Sequence, residues 1–288
     1  MSGAIIAGGV GFVAARPPAF FVRCARCYAL DIETICWLVA VVQGTLPCRV
    51  VAEAASNEVE RIVKIAVVEP LGIPNEDLEA QLVQATAGFD VEICTNPDRR
   101  EDEASLIERS ADADIVVVSN IKYPASVMEK NPNLKYICVA FTGYDHIDMG
   151  YCREHGIKVA NCAGYSTTAV AELVFGLAID LLRSIPACNE VVRKGGTKAG
   201  LVGPELEGKR FGVIGLGAIG SRVAKIAQAF DCEVVAYNRS PKDVPGVTQV
   251  SLEELLSTSD IISVHVPQTP QTIGMIGAEQ LAMCKPGA

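Results

Sequence analysis

The sequence predicts an α/β protein with two doubly wound parallel-sheet domains, and three observations lead to that prediction. From Val63 onward, short apolar runs alternate with amphipathic segments of helical spacing. The runs are apolar at nearly every position, which indicates strands buried on both faces. A glycine-rich turn at residues 215–220 follows one such run and opens a helix. The 288 residues are enough for two domains.

The first α/β domain is predicted at residues 61–163, with five strands separated by helices. Helical crossovers are needed because a tight hairpin cannot join two parallel strands. The strand runs are KIAVVEP, VEICT, DIVVVSN, KYICVAF and IKVANC, at residues 64–70, 91–95, 114–120, 135–141 and 157–162. The helical segments lie at residues 75–87, 100–111, 125–131 and 149–156. This alternation predicts a flavodoxin-like domain.

A long helix at about residues 166–183 opens the second predicted domain, residues 164–288. The hydroxyl residues Ser166–Thr168 supply N-cap candidates. Such a helix could bridge the two domains. Residues 184–209 contain five glycines and are predicted to be rich in loops. The apolar side chains of the helix form a broad stripe at residues 170, 173, 174, 177, 181 and 182.

The rest of the second domain alternates strands and helices in the manner of a Rossmann fold. Ser251 and Glu254 have the spacing of a capping box. The last helix closes on Pro286-Gly287, which normally launches another element. We therefore expect a fifth strand beyond Ala288 and an incomplete domain. Strands are predicted at residues 210–214, 232–238, 247–250 and 261–267, and helices after the glycine turn and at 251–260 and 278–285.

Composition argues against several partners. The net charge is −9 and no basic patch stands out, so no nucleic acid is expected. The eleven cysteines are odd in number and lie mostly in apolar runs. This favours free thiols in a reducing compartment, and we expect a cytoplasmic protein. Zinc at Cys24, Cys27, Cys36 and Cys48 is the alternative, but the spacing fits known zinc-ligand patterns badly, so no metal is predicted.

Residues 1–60 do not share the pattern of the rest and are predicted to be an extension of doubtful structure. Their longest apolar run, residues 35–42, is far shorter than the roughly 20 residues of a membrane span, so no membrane is expected. The first residues lack a positive n-region, which makes a signal peptide a weak alternative. After the initial methionine the next is Met128. One hypothesis is that translation starts near Val59 or Val63.

The glycine pattern Gly215-Leu-Gly217-Ala-Ile-Gly220 points to a dinucleotide. Gly215 permits the tight turn, Gly217 lets the backbone approach a pyrophosphate, and Gly220 lets the helix pack close to the strand. The unpaired amides of the helix N-terminus, around Ala218 and Ile219, then face the phosphates. A glycine turn without a ligand is the alternative, but the strand before it and the helix after it favour NAD(P).

The choice between NAD and NADP depends on residues at the end of the next strand. An NAD enzyme usually has Asp or Glu there, bound to the ribose 2′-hydroxyl. This sequence has Asn238-Arg239-Ser240 instead. Arg239 is suited to clamp a 2′-phosphate, which favours NADP. The alternative is a solvated Arg239, with Asn238 serving NAD.

Four stretches, taken in order over about residues 62–288, resemble the D-isomer-specific 2-hydroxyacid dehydrogenase family. That family includes hydroxypyruvate and glyoxylate reductases and phosphoglycerate dehydrogenases. Residues 1–60 have no counterpart in it. The stretches are FTGYDHID (141–148), NCAGYSTTAVAELVFGLAIDLLR (161–183), LEGKRFGVIGLGAIGSRVAKIAQAF (206–230) and HVPQTPQTIGMIGAEQLAMCKPGA (265–288).

The resemblance implies hydride transfer between NAD(P)H and C2 of a small 2-keto or 2-hydroxy acid held between the domains. The amides of Thr142 and Gly143 would bind its carboxylate as an anion nest. Asn120 and Ile121 would form the other lip of the site. The nicotinamide ribose would be lined by His265, Pro267 and Thr272. The absence of an arginine cluster favours glyoxylate or hydroxypyruvate over phosphoglycerate.

The resemblance also implies catalytic residues that this sequence does not contain. In the family, an Arg polarises the keto group and a His, oriented by a carboxylate, donates the proton. All three are expected beyond Ala288, so no catalytic residue is assigned to His146, His155 or His265. Full-length relatives are typically homodimers. A dinucleotide-binding or corepressor-like protein without catalysis is the alternative function.

Overall fold

The computed structural model describes residues 62–87 and 89–288. The predicted extension, the cysteines considered for zinc and the short apolar run lie outside these residues. Neighbouring strands of the first sheet all pair in parallel, in the order β2-β1-β3-β4-β5. This flavodoxin-like order confirms the predicted fold class. The strands are β1 (Val63–Val67), β2 (Val91–Thr95), β3 (Ile115–Val118), β4 (Tyr136–Val139) and β5 (Lys158–Asn161).

Four helices connect these strands and cover both faces of the sheet. Because successive strand residues point to opposite faces, Val116 packs toward one apolar cluster and Val117 toward the other. Leu78 of α1 is buried on the Val117 side, and Leu106 of α2 on the Val116 side. The helices are α1 (Asn75–Ala85), α2 (Glu103–Arg109), α3 (Ala125–Met128) and α4 (Met149–Glu154).

Two consecutive helices join the sheets. The predicted long helix is confirmed as α5 (Thr167–Arg183), although its N-cap residue Ser166 makes no side-chain cap bond. The prediction of a loop-rich segment after it was wrong at its start, since α6 (Ile185–Arg193) occupies that position. Ser184 separates the two helices in the left-handed region, with φ of 49°.

The second sheet is also parallel, with the order β8-β7-β6-β9. This matches the order 3-2-1-4 with which Rossmann sheets begin. Ser251 accepts the amide of Glu254 at 3.1 Å, which confirms one half of the predicted capping box. The elements are β6 (Arg210–Ile214), α7 (Ala218–Ala229), β7 (Glu233–Tyr237), β8 (Thr248–Gln249), α8 (Leu252–Thr258), β9 (Ile261–Val264) and α9 (Ala278–Met283).

Helix α5 packs on the second sheet through an aromatic contact. The ring of Phe175 stacks on Phe211 of β6 and on Phe230, with centroid distances of 5.5 and 5.4 Å. Phe175 and Phe211 are both buried. Burying a side chain of this size stabilises the fold by about 1.5–3 kcal/mol. The contact thereby fixes α5 against the sheet that carries the glycine turn.

Within residues 62–87 and 89–288, none of the helices combines the length and the apolar character needed to cross a bilayer. In the same part of the chain, no group of three or more His, Cys, Asp or Glu side chains is arranged to hold a metal ion.

Candidate functional site

The glycine turn after β6 has three glycines with three different physical reasons. Gly215 has φ of +97°, and a Cβ there would lie 2.7 Å from the carbonyl oxygen of His265. At Gly220 a Cβ would lie 1.9 Å from the carbonyl oxygen of Gly215, so only glycine lets α7 approach the turn. At Gly217 a Cβ would meet nothing within 4 Å. Gly217 therefore faces open space, where a ligand can approach the backbone.

The amides behind this opening are free. Within the described chain, the amides of Gly217, Ala218, Ile219 and Gly220 donate no hydrogen bond, and the first helical bond runs from Ser221 to Gly217 at 3.0 Å. Four unpaired N–H groups at the start of a 12-residue helix attract an anion, since the helix dipole adds to them. These residues fit the pyrophosphate of a dinucleotide.

Asn238 holds the glycine turn from the neighbouring strand. Its Oδ1 accepts the amide of Leu216 at 2.9 Å, and its Nδ2 donates to the carbonyl of Ser240 at 2.7 Å. Both ends of the predicted ribose reader are therefore used inside the protein. Arg239 is exposed and makes no hydrogen bond or ion pair with a described residue.

Lys242 is a site residue that the sequence analysis missed. Its Nζ donates to the carbonyl of Leu216 and lies 3.5 Å from Oγ of Ser221. Asn238 and Lys242 thus bind the two polar groups of one residue in the glycine turn. The contact between Lys242 and Leu216 spans 26 positions and follows no sequence pattern.

A cavity of about 870 Å³ lies between the two sheets and brings seven of the fifteen predicted site residues together. Thr142 and Gly143 border it from the first sheet, together with Asp145 and Arg153. The second sheet contributes five of the predicted cofactor residues: Gly217, Ala218, Ile219, His265 and Pro267. Gly215, Gly220, Asn238, Arg239 and Ser240 do not border this cavity.

Side-chain contacts hold the turn at Thr142 and Gly143, and its two amides have no partner among the described residues. The Thr142 carbonyl accepts Nδ2 of Asn161 at 2.7 Å, and its Oγ1 lies 3.5 Å from Oγ of Ser166 at the start of α5. The amides of Thr142 and Gly143 make no hydrogen bond to any residue in the described part of the chain. Two adjacent free amides at the cavity wall suit a carboxylate.

Asn120 and Ile121 do not border the cavity. Ile121 is buried, and Asn120 accepts a hydrogen bond from Arg99 at 2.7 Å. The amides of both residues bind the buried carboxylate of Glu69, which sequence reasoning also missed. Their predicted role as a substrate lip stays a prediction.

The loop after β9 carries three cofactor candidates, which do not all border the same cavity. His265 and Pro267 border the cavity, whereas Thr272 borders an adjoining groove of about 430 Å³. Thr272 donates its hydroxyl to the carbonyl of Pro267 at 2.5 Å and accepts the amide of Thr269 at 2.8 Å. Thr272 therefore shapes the loop that carries Pro267.

Two of the histidines are partly buried, and the third is exposed. Burial lowers the pKa of His265, whose Nε2 lies 2.8 Å from Oγ of Ser263. Burial also lowers the pKa of His146, while the nearby charges of Asp145 and Glu69 oppose that shift. His155 ends α4, stacks on Tyr151 and is exposed. No described histidine is placed as a proton donor by this geometry.

Comparison with known proteins finds a family match for the C-terminal part of the chain. Residues 175–288 match the family described as D-isomer specific 2-hydroxyacid dehydrogenase, NAD binding domain. A hydroxypyruvate reductase of Thermotoga maritima is 38% identical, over 74% of this chain and 70% of its own length. A hydroxypyruvate reductase of Blautia hydrogenotrophica is 36% identical, and a D-3-phosphoglycerate dehydrogenase of Methanocaldococcus jannaschii is 39% identical. This chain spans 61% and 43% of the lengths of these two relatives.

Solved structures extend the likeness over both sheets. An acyclic imino acid reductase in complex with NADPH and D-Arg matches with a TM-score of 0.70 and 32% identity, over 77% of this chain and 71% of that one. A D-lactate dehydrogenase of Aquifex aeolicus complexed with NAD and lactic acid matches with a TM-score of 0.66 and 31% identity, over 78% and 66%. The resemblance expected from the four sequence stretches is confirmed, and the chain belongs to the D-isomer-specific 2-hydroxyacid dehydrogenase family.

Proposed function

We propose that this protein is an oxidoreductase that transfers a hydride between NAD(P)H and C2 of a small 2-keto or 2-hydroxy acid. One observation carries the proposal: two sets of free backbone amides border a single cavity. The amides from Gly217 onward suit a pyrophosphate, and those of Thr142 and Gly143 suit a carboxylate. A bound nicotinamide would supply or accept the hydride.

The chain's own residues bind and orient in this proposal. The glycine turn fixes the dinucleotide, and Asn238 and Lys242 keep that turn in shape. The turn at Thr142 presents the acid to the cofactor side of the cavity. Fixed geometry of this kind removes much of the entropic barrier to a reaction between two bound molecules.

The proton donor and the polarising arginine are not assigned to described residues. His265 borders the cavity but bonds Ser263, and Arg153 is the cation that borders the cavity from α4. We propose that the family's Arg, Glu and His are encoded beyond Ala288 and that this chain is a fragment. Reading the DNA past codon 288 tests this, since an open frame with an Arg, a Glu and a His supports it and an immediate stop codon contradicts it.

Glyoxylate or hydroxypyruvate is the proposed substrate class, because Arg153 is the single described cation at the cavity. A phosphorylated acid would need more positive charge around it. Steady-state assays of the full gene product with glyoxylate, hydroxypyruvate and 3-phosphohydroxypyruvate compare the classes. A higher kcat/KM for the phosphorylated acid would overturn this choice.

NADP is the proposed cofactor in preference to NAD. The exposed guanidinium of Arg239 and the ammonium of Lys242 lie past the end of β7, where the ribose is read. Titration of the 288-residue chain with NADPH and NADH, followed by nicotinamide fluorescence, tests the preference. We expect tighter binding of NADPH in the wild type and equal binding in R239A. Tighter binding of NADH would contradict the choice.

A dinucleotide-binding or corepressor-like protein without catalysis is the second candidate, favoured by the unassigned proton donor. The two functions separate in one assay on the full gene product. NADPH binding with glyoxylate turnover supports the enzyme, and NADPH binding without turnover of any 2-keto acid supports the second candidate.

We also propose that the domains divide at residue 163 and that the full-length protein is a cytoplasmic homodimer. Three leucines on one side of α5 support the dimer, because Leu173, Leu177 and Leu181 are 59%, 56% and 81% exposed. No disulfide joins two of the described cysteines, which supports a reducing compartment. Light scattering of wild type and of L177D with L181D tests the dimer, and an unchanged mass would overturn it.

A further inference from the structure

Glu69 is a buried carboxylate that the proposed function does not use. It follows β1 at the carboxyl end of the first sheet, and it is 0% exposed. Its Oε1 accepts three backbone amides, from Ser119 at 2.7 Å, Asn120 at 2.9 Å and Ile121 at 3.0 Å. A carboxylate with three amide donors is well satisfied although it is buried.

The second oxygen of Glu69 has a different partner. Oε2 accepts a hydrogen bond from Arg99 at 2.8 Å. The same guanidinium donates to Oδ1 of Asn120 at 2.7 Å. Glu69 and Arg99 therefore hold one loop, residues 119–121, from both its backbone and its side-chain side.

This loop is joined to the turn that borders the cavity. The amide of Tyr123 donates to the carbonyl of His146 at 2.9 Å, and Tyr123 and Ile147 form an isolated parallel bridge. The negative charge of Glu69 also acts on His146 and opposes the lowering of its pKa by burial. A continuous set of contacts thus runs from Glu69 through residues 119–123 to the turn at residues 142–147.

We propose that Glu69 is a positioning residue that sets the cavity turn at residues 142–147 by fixing the loop at residues 119–121. The inference rests on the proposed function, because the turn matters only if its free amides bind an acid. Glu69 does not border the cavity. Its carboxylate accepts the hydrogen bonds of the amides at residues 119–121. This keeps the amides of the neighbouring turn in position to bind a ligand.

Three substitutions separate this role from ordinary packing. E69A removes all contacts, whereas E69Q keeps an oxygen for the three amides and presents an amide group to Arg99. R99L removes the bonds of the guanidinium to Glu69, Asn120 and Glu101 and leaves the three amide bonds of Glu69 in place. D114N is the matched control, because Asp114 is 1% exposed and accepts the amide of Lys64 at 3.0 Å at the opposite end of the same sheet.

The readouts are amide hydrogen exchange and calorimetric titration with oxalate in the presence of NADPH, both on the full gene product. In E69A, we expect faster exchange in residues 119–121 and 142–147, beyond any global change, and at least about tenfold weaker oxalate binding. NADPH affinity should stay within about twofold. E69Q should keep most of the protection in residues 119–121 and fall between wild type and E69A.

The proposal is overturned if exchange in residues 142–147 is unchanged in E69A, or if D114N weakens oxalate as much as E69A does. If E69A does not fold, E69Q and R99L give the same comparison at lower amplitude, and unchanged exchange in both overturns it. A wild type that binds NADPH but no oxalate would count against the proposed substrate site. Hydrogen exchange in residues 142–147 would then be the remaining test of the positioning role of Glu69.

Discussion

Each of the two sheets has a point where the strand order reverses. The backbone amides at these two points differ, since they are bonded within the protein at one and free at the other. In the first sheet the point lies between β1 and β3, and in the second it lies between β6 and β9. Doubly wound sheets place ligands at such points. At the first, the carboxylate of Glu69 occupies the loop amides. At the second, the amides from Gly217 onward are free.

The difference shows how one architecture gives a rigid support and a binding site. Filled amides are satisfied without a ligand, so the first point is complete by itself and supports a neighbouring turn. Free amides beside a residue with open space at its Cβ position are completed only by water or a ligand. The comparison predicts that substitutions at the two points affect different properties.

The largest effect is expected for Gly220→Ala. Its Cβ would lie 1.9 Å from the carbonyl oxygen of Gly215, so α7 or the turn must move. We expect NADPH binding to weaken by about a hundredfold or more and the free energy of unfolding to fall by about 1–3 kcal/mol. Fluorescence titration and urea unfolding measure both. An unchanged affinity would mean that the turn does not hold the dinucleotide.

Glu69→Ala should have the second-largest effect, which is a loss of stability. Three backbone amides, two of them buried, and Arg99 lose their acceptor, so the free energy of unfolding should fall by about 3 kcal/mol. Urea unfolding gives the value, and D114N serves as the matched buried carboxylate. A loss below about 0.5 kcal/mol would show that the loop amides find water or other partners.

Gly217→Ala should separate binding from stability. A Cβ there meets no protein atom within 4 Å, so stability should change by less than about 0.5 kcal/mol. NADPH binding should weaken by about tenfold, because the added methyl group points into the space assigned to the ligand. The contrast with Gly220→Ala is the control, and equal losses of stability in both variants would break the distinction.

The smallest effect concerns pH. Burial lowers the pKa of His146 and of His265, so between the folded and unfolded pKa values the unfolded chain binds more protons. Stability contributed by the neutral rings is complete above the unfolded value of about 6.5 and is lost as the pH falls below it. Unfolding titrations from pH 7.5 to 5 should show this slope, and H146Q with H265Q should flatten it. An equal slope in the double variant would contradict the assignment.

Much of the fold could be predicted from the sequence because its signals are local. The apolar runs gave the strands of both sheets, and the glycine spacing located the turn whose amides are free. Helix α6 was missed because it is only nine residues long and runs into a glycine-rich segment, so the whole stretch was assigned to loops. No side chain of α6 is fully buried, so none of its residues marks a core position.

The missed site residues depend on contacts far apart in sequence. Glu69 meets the Ser119 amide across 50 positions, and Lys242 meets Leu216 across 26. Neither contact follows from helical or strand spacing, because the sheet order brings the strand ends together. Asn238 was placed at the right strand end, but its side chain binds the turn and Ser240.

Amide hydrogen exchange of the 288-residue chain, with and without NADPH, tests the central difference between the two points most directly. We expect the amides of Gly217–Gly220 to exchange fast in the free chain and to become protected by NADPH. Those of Ser119–Ile121 should be protected in both states. Protection of the glycine turn without NADPH, or no change on its addition, would contradict the account.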